Sequence, residues 1–253
     1  ASAVSYLYYA DRIYQINLAI AGIAIGTIIL PNLSRHIKSN NSRKTIELQN
    51  KALELSLFLS LPASLALMIG SEQITSALFG YGSFDQLSVR NSAKALFYFS
   101  FGLPAFSLIK IFSTFLFARN DTKTPFKFSL ISVILNLIIS LTFFPKVGFI
   151  IIPIATTISS WFNGITLLFF AIKKNYFKFS YNFIVQISKI IFSNIVAILI
   201  FYFLLNFLGT SLNYINNYKF IFILLIVLLT FFSYIGFSII IKAFKISDIN
   251  LKY

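Results

Sequence analysis

The residues best suited to chemistry are Asp11 and Arg12, an acidic and a basic side chain at the mouth of a long apolar run. A charged side chain inside a bilayer costs roughly 2.5 to 3.5 kcal/mol on insertion scales, so it usually faces a water-filled cavity or a partner. We therefore interpret Arg12 as a residue that looks into a polar cavity within a membrane. An interfacial anchor, with the Arg12 side chain snorkelling to the headgroups, is the alternative that this stretch leaves open.

Helical spacing decides which neighbours share a face with Arg12. If residues 4–33 form one helix, intervals of three and four place a polar or small set on a single face. That set is Ser5, Tyr8, Arg12, Gln15, Ala19, Gly22 and Gly26. The opposite faces carry apolar residues that suit lipid or a packed neighbour, namely Ile13, Ile16, Ile20, Ile23 and Leu30.

Composition identifies an integral membrane protein. Hydrophobic residues make up 58% of the chain and charged residues 11%, and the mean hydropathy is +0.84. The apolar runs are continuous over about twenty residues and do not alternate, which predicts an all-α bundle and not a barrel. The formal charge of +14 follows from basic residues clustered in a subset of the loops, so we predict no nucleic-acid partner.

Few residue types remain for catalysis or metal binding. The chain has no cysteine, and His36, its single histidine, lies in a basic loop. A disulfide framework, a thiolate nucleophile and a histidine-based site are therefore excluded. Because the sequence starts inside an apolar segment, we expect it to be the C-terminal part of a longer polypeptide.

Seven apolar spans are predicted along the chain. Their approximate bounds are 4–33, 52–70, 93–117, 126–144, 149–172, 187–208 and 220–241. We expect Pro31 to break the first span from the loop that follows, Pro62 to kink the second, and the last span to face lipid. The loops after spans one, three and five and the C-terminal tail hold most of the basic residues. The positive-inside rule then predicts a periplasmic N-terminus and a cytoplasmic C-terminus.

Three further polar positions inside the spans are candidates for an ion site or a cavity. Lys110 lies in the third span, where snorkelling is the alternative explanation. Asn136 and Ser140 lie in the fourth, where interhelical hydrogen bonds are the alternative. In the turn between these two spans, ARNDTKTP, we expect Thr124 to cap the next helix and Asp121 or Asn120 to favour the tight turn.

Four motifs, in order, carry a family resemblance. YYADRI, GTIILPNLS, LFGYGSF and ARNDTKTPFK resemble successive signatures of the MurJ (MviN) family, the lipid II flippases of bacterial peptidoglycan synthesis. Members have fourteen transmembrane helices in two lobes, and this chain resembles helices eight to fourteen. The resemblance implies that residues 1–174 form five helices of the C-terminal lobe, and that residues 175–253 form two additional helices with a groove for the lipid tail. It also implies that the N-terminal lobe is a missing partner.

The resemblance further implies a function and a site. Arg12 would be one of several cavity arginines that hold the diphosphate of lipid II or a related polyprenyl diphosphate lipid, because a guanidinium matches phosphate oxygens with a fixed fork of donors. Ser5, Asp11 and Gln15 complete the predicted substrate-binding set. The expected activity is non-enzymatic translocation in the inner membrane, in contact with membrane lipids, for cell-wall growth and cell shape. No cofactor is expected, and a membrane potential or an ion gradient would drive transport.

Other functions stay open at this point. Some relatives place a carboxylate in the helix where this sequence has Asn136 and Ser140, so these two neutral side chains depart from the pattern of those relatives. The alternatives are a polysaccharide-lipid or multidrug exporter of the same superfamily, a membrane enzyme acting on polyprenyl phosphates, and a structural membrane subunit. An exporter of cationic drugs would favour an acidic or aromatic cavity, and an enzyme would need more carboxylates than the spans offer.

Overall fold

The computed structural model describes residues 2–244, apart from the side chains of residues 17–28 inside the first helix. The predicted positions Ala19, Ile20, Gly22, Ile23 and Gly26 lie outside the described side chains. All regular structure in the described part is helical, as predicted. The helices are α1 (Ala3–Lys38), α2 (Ser42–Ile69), α3 (Ser71–Phe79), α4 (Gln86–Ser100), α5 (Leu103–Phe117), α6 (Lys123–Val147), α7 (Ile151–Lys173), α8 (Tyr181–Phe207) and α9 (Lys219–Ile240).

Each of the seven predicted spans coincides with a helix or, for the third, with the bent pair α4–α5. By length and composition, four stretches of the described residues could cross a membrane, or five if the α4–α5 pair, bent by 41°, counts as one span. One of the four, Lys123–Lys173, contains both α6 and α7. These two helices are antiparallel, because Ser129 pairs with Asn163 and Asn136 pairs with Thr156.

The connections lie at two ends of the bundle. At the end we call the basic end, α1 turns into α2, α5 into α6 and α7 into α8. Side chains fasten these connections together: Arg119 and Gln49 both donate to the carbonyl oxygen of Tyr176, each at 2.9 Å. Burial lowers the pKa of Arg119, and a guanidinium stays charged under such a shift. The α2–α3, α3–α4, α6–α7 and α8–α9 connections lie at the opposite end.

Two local predictions were wrong. Pro31 does not end the first helix, which continues to Lys38. A membrane helix tolerates a proline where other groups can satisfy the one carbonyl that loses its donor. Thr124 does not cap α6. Instead the carboxylate of Asp121 accepts from the Thr124 amide at 3.0 Å, because the helix begins at Lys123 and leaves that amide without an intrahelical partner.

The α4–α5 bend is closed by side chains from neighbouring helices. Pro104 has no N–H for the carbonyl of Ser100, and the Ser64 hydroxyl of α2 donates to that oxygen at 2.6 Å. From α7, the Thr157 hydroxyl donates to the Tyr98 carbonyl at 2.7 Å and the Trp161 indole donates to the Phe101 carbonyl at 2.9 Å. The broken backbone is thereby satisfied by protein, as a broken membrane helix requires.

A side chain that donates to a carbonyl freed by proline also attaches α9 to α2. Pro62 lies inside α2, so the carbonyl of Phe58 four residues earlier lacks its helical donor. The hydroxyl of Tyr234 on α9 donates to it at 2.9 Å, and Asn194 of α8 contacts the same hydroxyl at 3.5 Å. Although α9 is largely exposed, as its prediction as a lipid-facing helix requires, a buried stripe joins it to the bundle. The stripe contains Lys219, Ile223, Ile226, Tyr234 and Ser238.

We predict that Tyr234→Phe lowers stability by about 0.5 to 2 kcal/mol, because it leaves the Phe58 carbonyl buried without a donor. Thermal unfolding of the purified chain in detergent would measure the loss. Tyr202→Phe on α8 is the matched control, since Tyr202 is 57% exposed and should lose little. Equal unfolding temperatures for the two variants would contradict this account of how α9 is held.

Candidate functional site

The N-terminal third of α1 has one outward and one inward face. Tyr8, Arg12 and Gln15 are exposed and Ser5 is half-buried on the outward side. The inward side is buried among the other helices and consists of Tyr6, Ala10, Ile13 and Tyr14. The described part of the predicted polar face is therefore left uncovered by the neighbouring helices, and so are the apolar side chains Val4 and Ile16, which are 75% and 62% exposed.

Aromatic contacts place Arg12 below the end of the bundle. The ring of Tyr6 lies 5.7 Å from that of Phe149, which belongs to the turn between α6 and α7 at the opposite end. Arg12 follows Tyr6 by six residues, so it lies about 9 Å further in by helical rise. Tyr14 packs on Phe99 at 5.4 Å and on Phe106 at 5.6 Å, one on each side of the α4–α5 bend. Arg12 thus lies between the turn and the bend.

Arg12 contacts an aromatic ring and not a carboxylate. Its guanidinium carbon lies 4.7 Å from the centre of the Tyr8 ring, one helical turn away. The neighbouring Asp11 accepts a hydrogen bond from the side-chain amide of Gln15. Among the described side chains no carboxylate lies within salt-bridge distance of Arg12. The guanidinium therefore keeps its donors available for an external anion.

Asn136 and Ser140 lie in a second place, between α6 and α7. The Asn136 amide donates to the Thr156 hydroxyl at 3.2 Å and to the Ser159 hydroxyl at 3.4 Å. The Ser140 hydroxyl donates to the Asn136 oxygen at 3.4 Å. The two bonds of the Asn136 amide are interhelical, the alternative that the sequence left open, and the Ser140 bond lies within α6. They border a cavity of about 410 Å³, whose described lining comes from α5, α6 and α7.

Phe106 lies between the N-terminal part of α1, which carries Arg12, and the cavity that Asn136 lines. Its ring packs on Tyr14 of α1 and also lines the cavity. Gly164 lets α7 approach α5 closely there, because an added Cβ would lie 3.2 Å from the Ala105 carbonyl oxygen. The structure therefore does not gather the predicted residues into one pocket: Ser5, Asp11, Arg12 and Gln15 lie on α1, and Asn136 and Ser140 lie behind α5.

Lys110 is exposed on α5, seven residues before the end of that helix. It lies one turn beyond Phe106, so its axial distance from Arg12 is about 9 Å by helical rise. Its place between the α1 face and the basic end fits both snorkelling and a cavity role. Among the described residues no group of three His, Cys, Asp or Glu side chains could hold a metal ion.

The LFGYGSF motif, residues 78–84, lies at the end of the bundle opposite the basic end. It forms the turn after α3, in which Gly82 adopts a φ of +58°. The ammonium of Lys219, only 1% exposed, donates to the Gly80 carbonyl at 2.6 Å and to the Tyr214 carbonyl at 2.7 Å. The Tyr214 hydroxyl donates to the Phe84 carbonyl at 2.8 Å. The turn is thereby fixed to the beginning of α9.

A hydrogen bond from Ser88 lowers the pKa of nearby Asp85, the cap of α4.

Sequence reasoning missed two of these features. The contact between Arg12 and Tyr8 was detectable, because residues four apart on a helix are neighbours. The burial of Lys219 had no local signal, since its partner Gly80 is 139 positions away.

Comparison with known proteins identifies the family. The family model described as lipid II flippase MurJ matches residues 1–229, which extends the resemblance beyond the four motifs. A curated protein of Rhizobium meliloti, named as a probable lipid II flippase MurJ, is 44% identical over 65% of this chain and 31% of its own length. The lipid II flippase MurJ of Burkholderia cenocepacia is 33% identical over 68% of this chain and 33% of its own length.

A solved structure of the same family resembles this fold. The lipid II flippase MurJ in an inward closed conformation superposes with a TM-score of 0.76 and 26% identity, over 94% of this chain and 47% of the other. The chain thus spans about a third of the length of these curated relatives in alignment and about half of the solved one, consistent with the predicted C-terminal half. Its apolar helices and its relatives mark it as a multi-pass membrane protein, and the chain belongs to the lipid II flippase MurJ family.

Proposed function

We propose that this chain takes part in the translocation of lipid II across the bacterial inner membrane, as one wall of the transport cavity. The observation that carries the proposal is Arg12, an exposed guanidinium about 9 Å below the end of the bundle by helical rise. A cation at that depth requires water or a counter-charge beside it. A lipid-linked diphosphate supplies such a charge, and the family is named for the transport of such a lipid.

The residues around Arg12 suit this role. A guanidinium offers paired donors to phosphate oxygens and keeps its charge at any relevant pH. Ser5 and Gln15 add a hydroxyl and an amide to the same face. Gln15 also donates to the Asp11 carboxylate, whose charge interacts with Arg12 without a salt bridge. Alternating access would then require a second lobe opposite this face, rocking against it around the bound headgroup.

Energy coupling and the lipid tail are further parts of the proposal. A membrane potential or an ion gradient would energise the movement. Asn136, which lines the cavity between α5, α6 and α7, and Ser140, which donates to Asn136, are the candidate ion contacts. Lys110 would add positive charge nearer the basic end. Helices α8 and α9 would provide the surface for the polyprenyl tail, outside residues 1–174, which contain the headgroup site.

Substitution of Arg12 tests the proposal. We would replace the matching part of the Rhizobium meliloti relative with this chain and express the chimera in cells depleted of their own lipid II flippase. The unsubstituted chimera should restore growth. Arg12→Ala should abolish that growth, and Arg12→Lys should restore it in part, because lysine keeps the charge and loses the paired geometry.

Arg90→Ala is the matched control for loss of one positive charge. Arg90 is exposed near the α3–α4 turn, where its Nε lies 3.5 Å from Glu72, and a surface pair of this kind contributes little to stability. Immunoblots of membranes would verify equal protein levels. Full growth with Arg12→Ala, or no growth with a well-inserted unsubstituted chimera, would contradict the proposed function.

The proposed orientation has a separate test, which the absence of cysteine from the sequence makes simple. Ser83→Cys in the α3–α4 turn and Ser42→Cys at the start of α2 change exposed positions at opposite ends. With the basic end in the cytoplasm, a membrane-impermeant maleimide should label the Ser83→Cys variant in cells whose outer membrane alone is permeable. The Ser42→Cys variant should react only after the inner membrane is opened. The reverse pattern would refute this orientation.

A further inference from the structure

The side chain of Arg12 is held by a chain of aromatic rings. Its guanidinium lies over the Tyr8 ring at 4.7 Å, a distance at which a ring face attracts a cation. Tyr8 in turn meets Tyr9 edge to face, with ring centres 5.6 Å apart. Because Tyr8 is 51% exposed, this contact lies on the open face of α1 and not inside the core.

Tyr9 is fixed by the LFGYGSF turn. Its ring lies 4.7 Å from Phe79 and 4.8 Å from Phe84, the two aromatic residues that flank the turn glycines. The turn itself is anchored by Lys219 through Gly80 and by Tyr214 through Phe84. An unbroken series of contacts therefore runs from α9, through the turn and two tyrosines, to the guanidinium.

We infer that Tyr8 is a positioning residue, which holds the Arg12 guanidinium toward the open face in the orientation needed for a phosphate group. The inference rests on the proposed function. It assigns a role to the LFGYGSF turn, which sets the place of Tyr8 through Tyr9. A cation–π contact at an exposed site favours one side-chain orientation only modestly. Its loss should therefore slow lipid II translocation without abolishing it.

A chemical test measures the position of Arg12 without any transport. Phenylglyoxal modifies arginine side chains, and mass spectrometry follows each of the five arginines of the purified 253-residue chain in lipid nanodiscs. Removing the ring by Tyr8→Leu should raise the modification rate of Arg12 about two- to five-fold, since one face of the guanidinium loses its cover. Tyr8→Phe keeps the ring and should restore the slower rate. Arg90 should react equally in all three proteins.

Transport provides the second readout. In the chimera, Tyr8→Leu should slow lipid II translocation about two- to five-fold, and Tyr8→Phe should recover at least half of the loss. Phe126→Leu is the control, because Phe126 is also an exposed aromatic side chain and lies on α6, outside both the α1 face and the proposed tail surface; it should leave the rate unchanged.

The outcomes separate this inference from the proposed function. An unchanged Arg12 modification rate in Tyr8→Leu would overturn the positioning role. So would a Tyr8→Phe variant as slow in transport as Tyr8→Leu, because the hydroxyl and not the ring would then matter. A chimera that transports normally with Arg12→Ala would instead overturn the proposed function, whatever the chemical test had given.

Discussion

The need to satisfy every backbone carbonyl inside the membrane organises this bundle. Pro62, Pro104 and the α4–α5 bend leave carbonyls without a helical donor, and side chains from other helices donate to them. Ser64 and Tyr234 donate to the carbonyls freed by Pro104 and Pro62. Because each bond joins two helices, the breaks in the helices also hold the bundle together.

The site depends on that arrangement. The bend sits between Phe99 and Phe106, and Tyr14 of α1 packs against both rings. This contact fixes the rotation of α1, so that the inward residues are covered and Arg12 is turned outward. The uncovered face carries the Arg12 guanidinium about 9 Å from the end of the bundle by helical rise. Under the proposed function, this face is one wall of an aqueous cavity.

Local sequence patterns were sufficient for some features and not for others. Continuous apolar runs predicted the helices, and intervals of three and four predicted the face that holds Arg12. The bond between Tyr234 and Phe58 was not predictable, because these residues are 176 positions apart. Helix ends were also misjudged at Pro31 and Thr124, where tertiary context and backbone satisfaction override the local propensity. The contacts of Asn136 depended on Thr156 in the next span, which only the packed structure reveals.

The proposed function requires that residue 12 faces water within the bilayer, and the reactivity of this position toward a water-soluble reagent tests that requirement. In the chimera, Arg12→Cys would be compared with Ile138→Cys, a position on α6 that is 57% exposed and lies in the C-terminal half of its helix. A water-soluble, membrane-impermeant thiol reagent should modify the Arg12→Cys variant much faster than the Ile138→Cys variant. Equal, slow modification of both would show that residue 12 lies in lipid, and it would contradict the proposal that Arg12 lines an aqueous cavity.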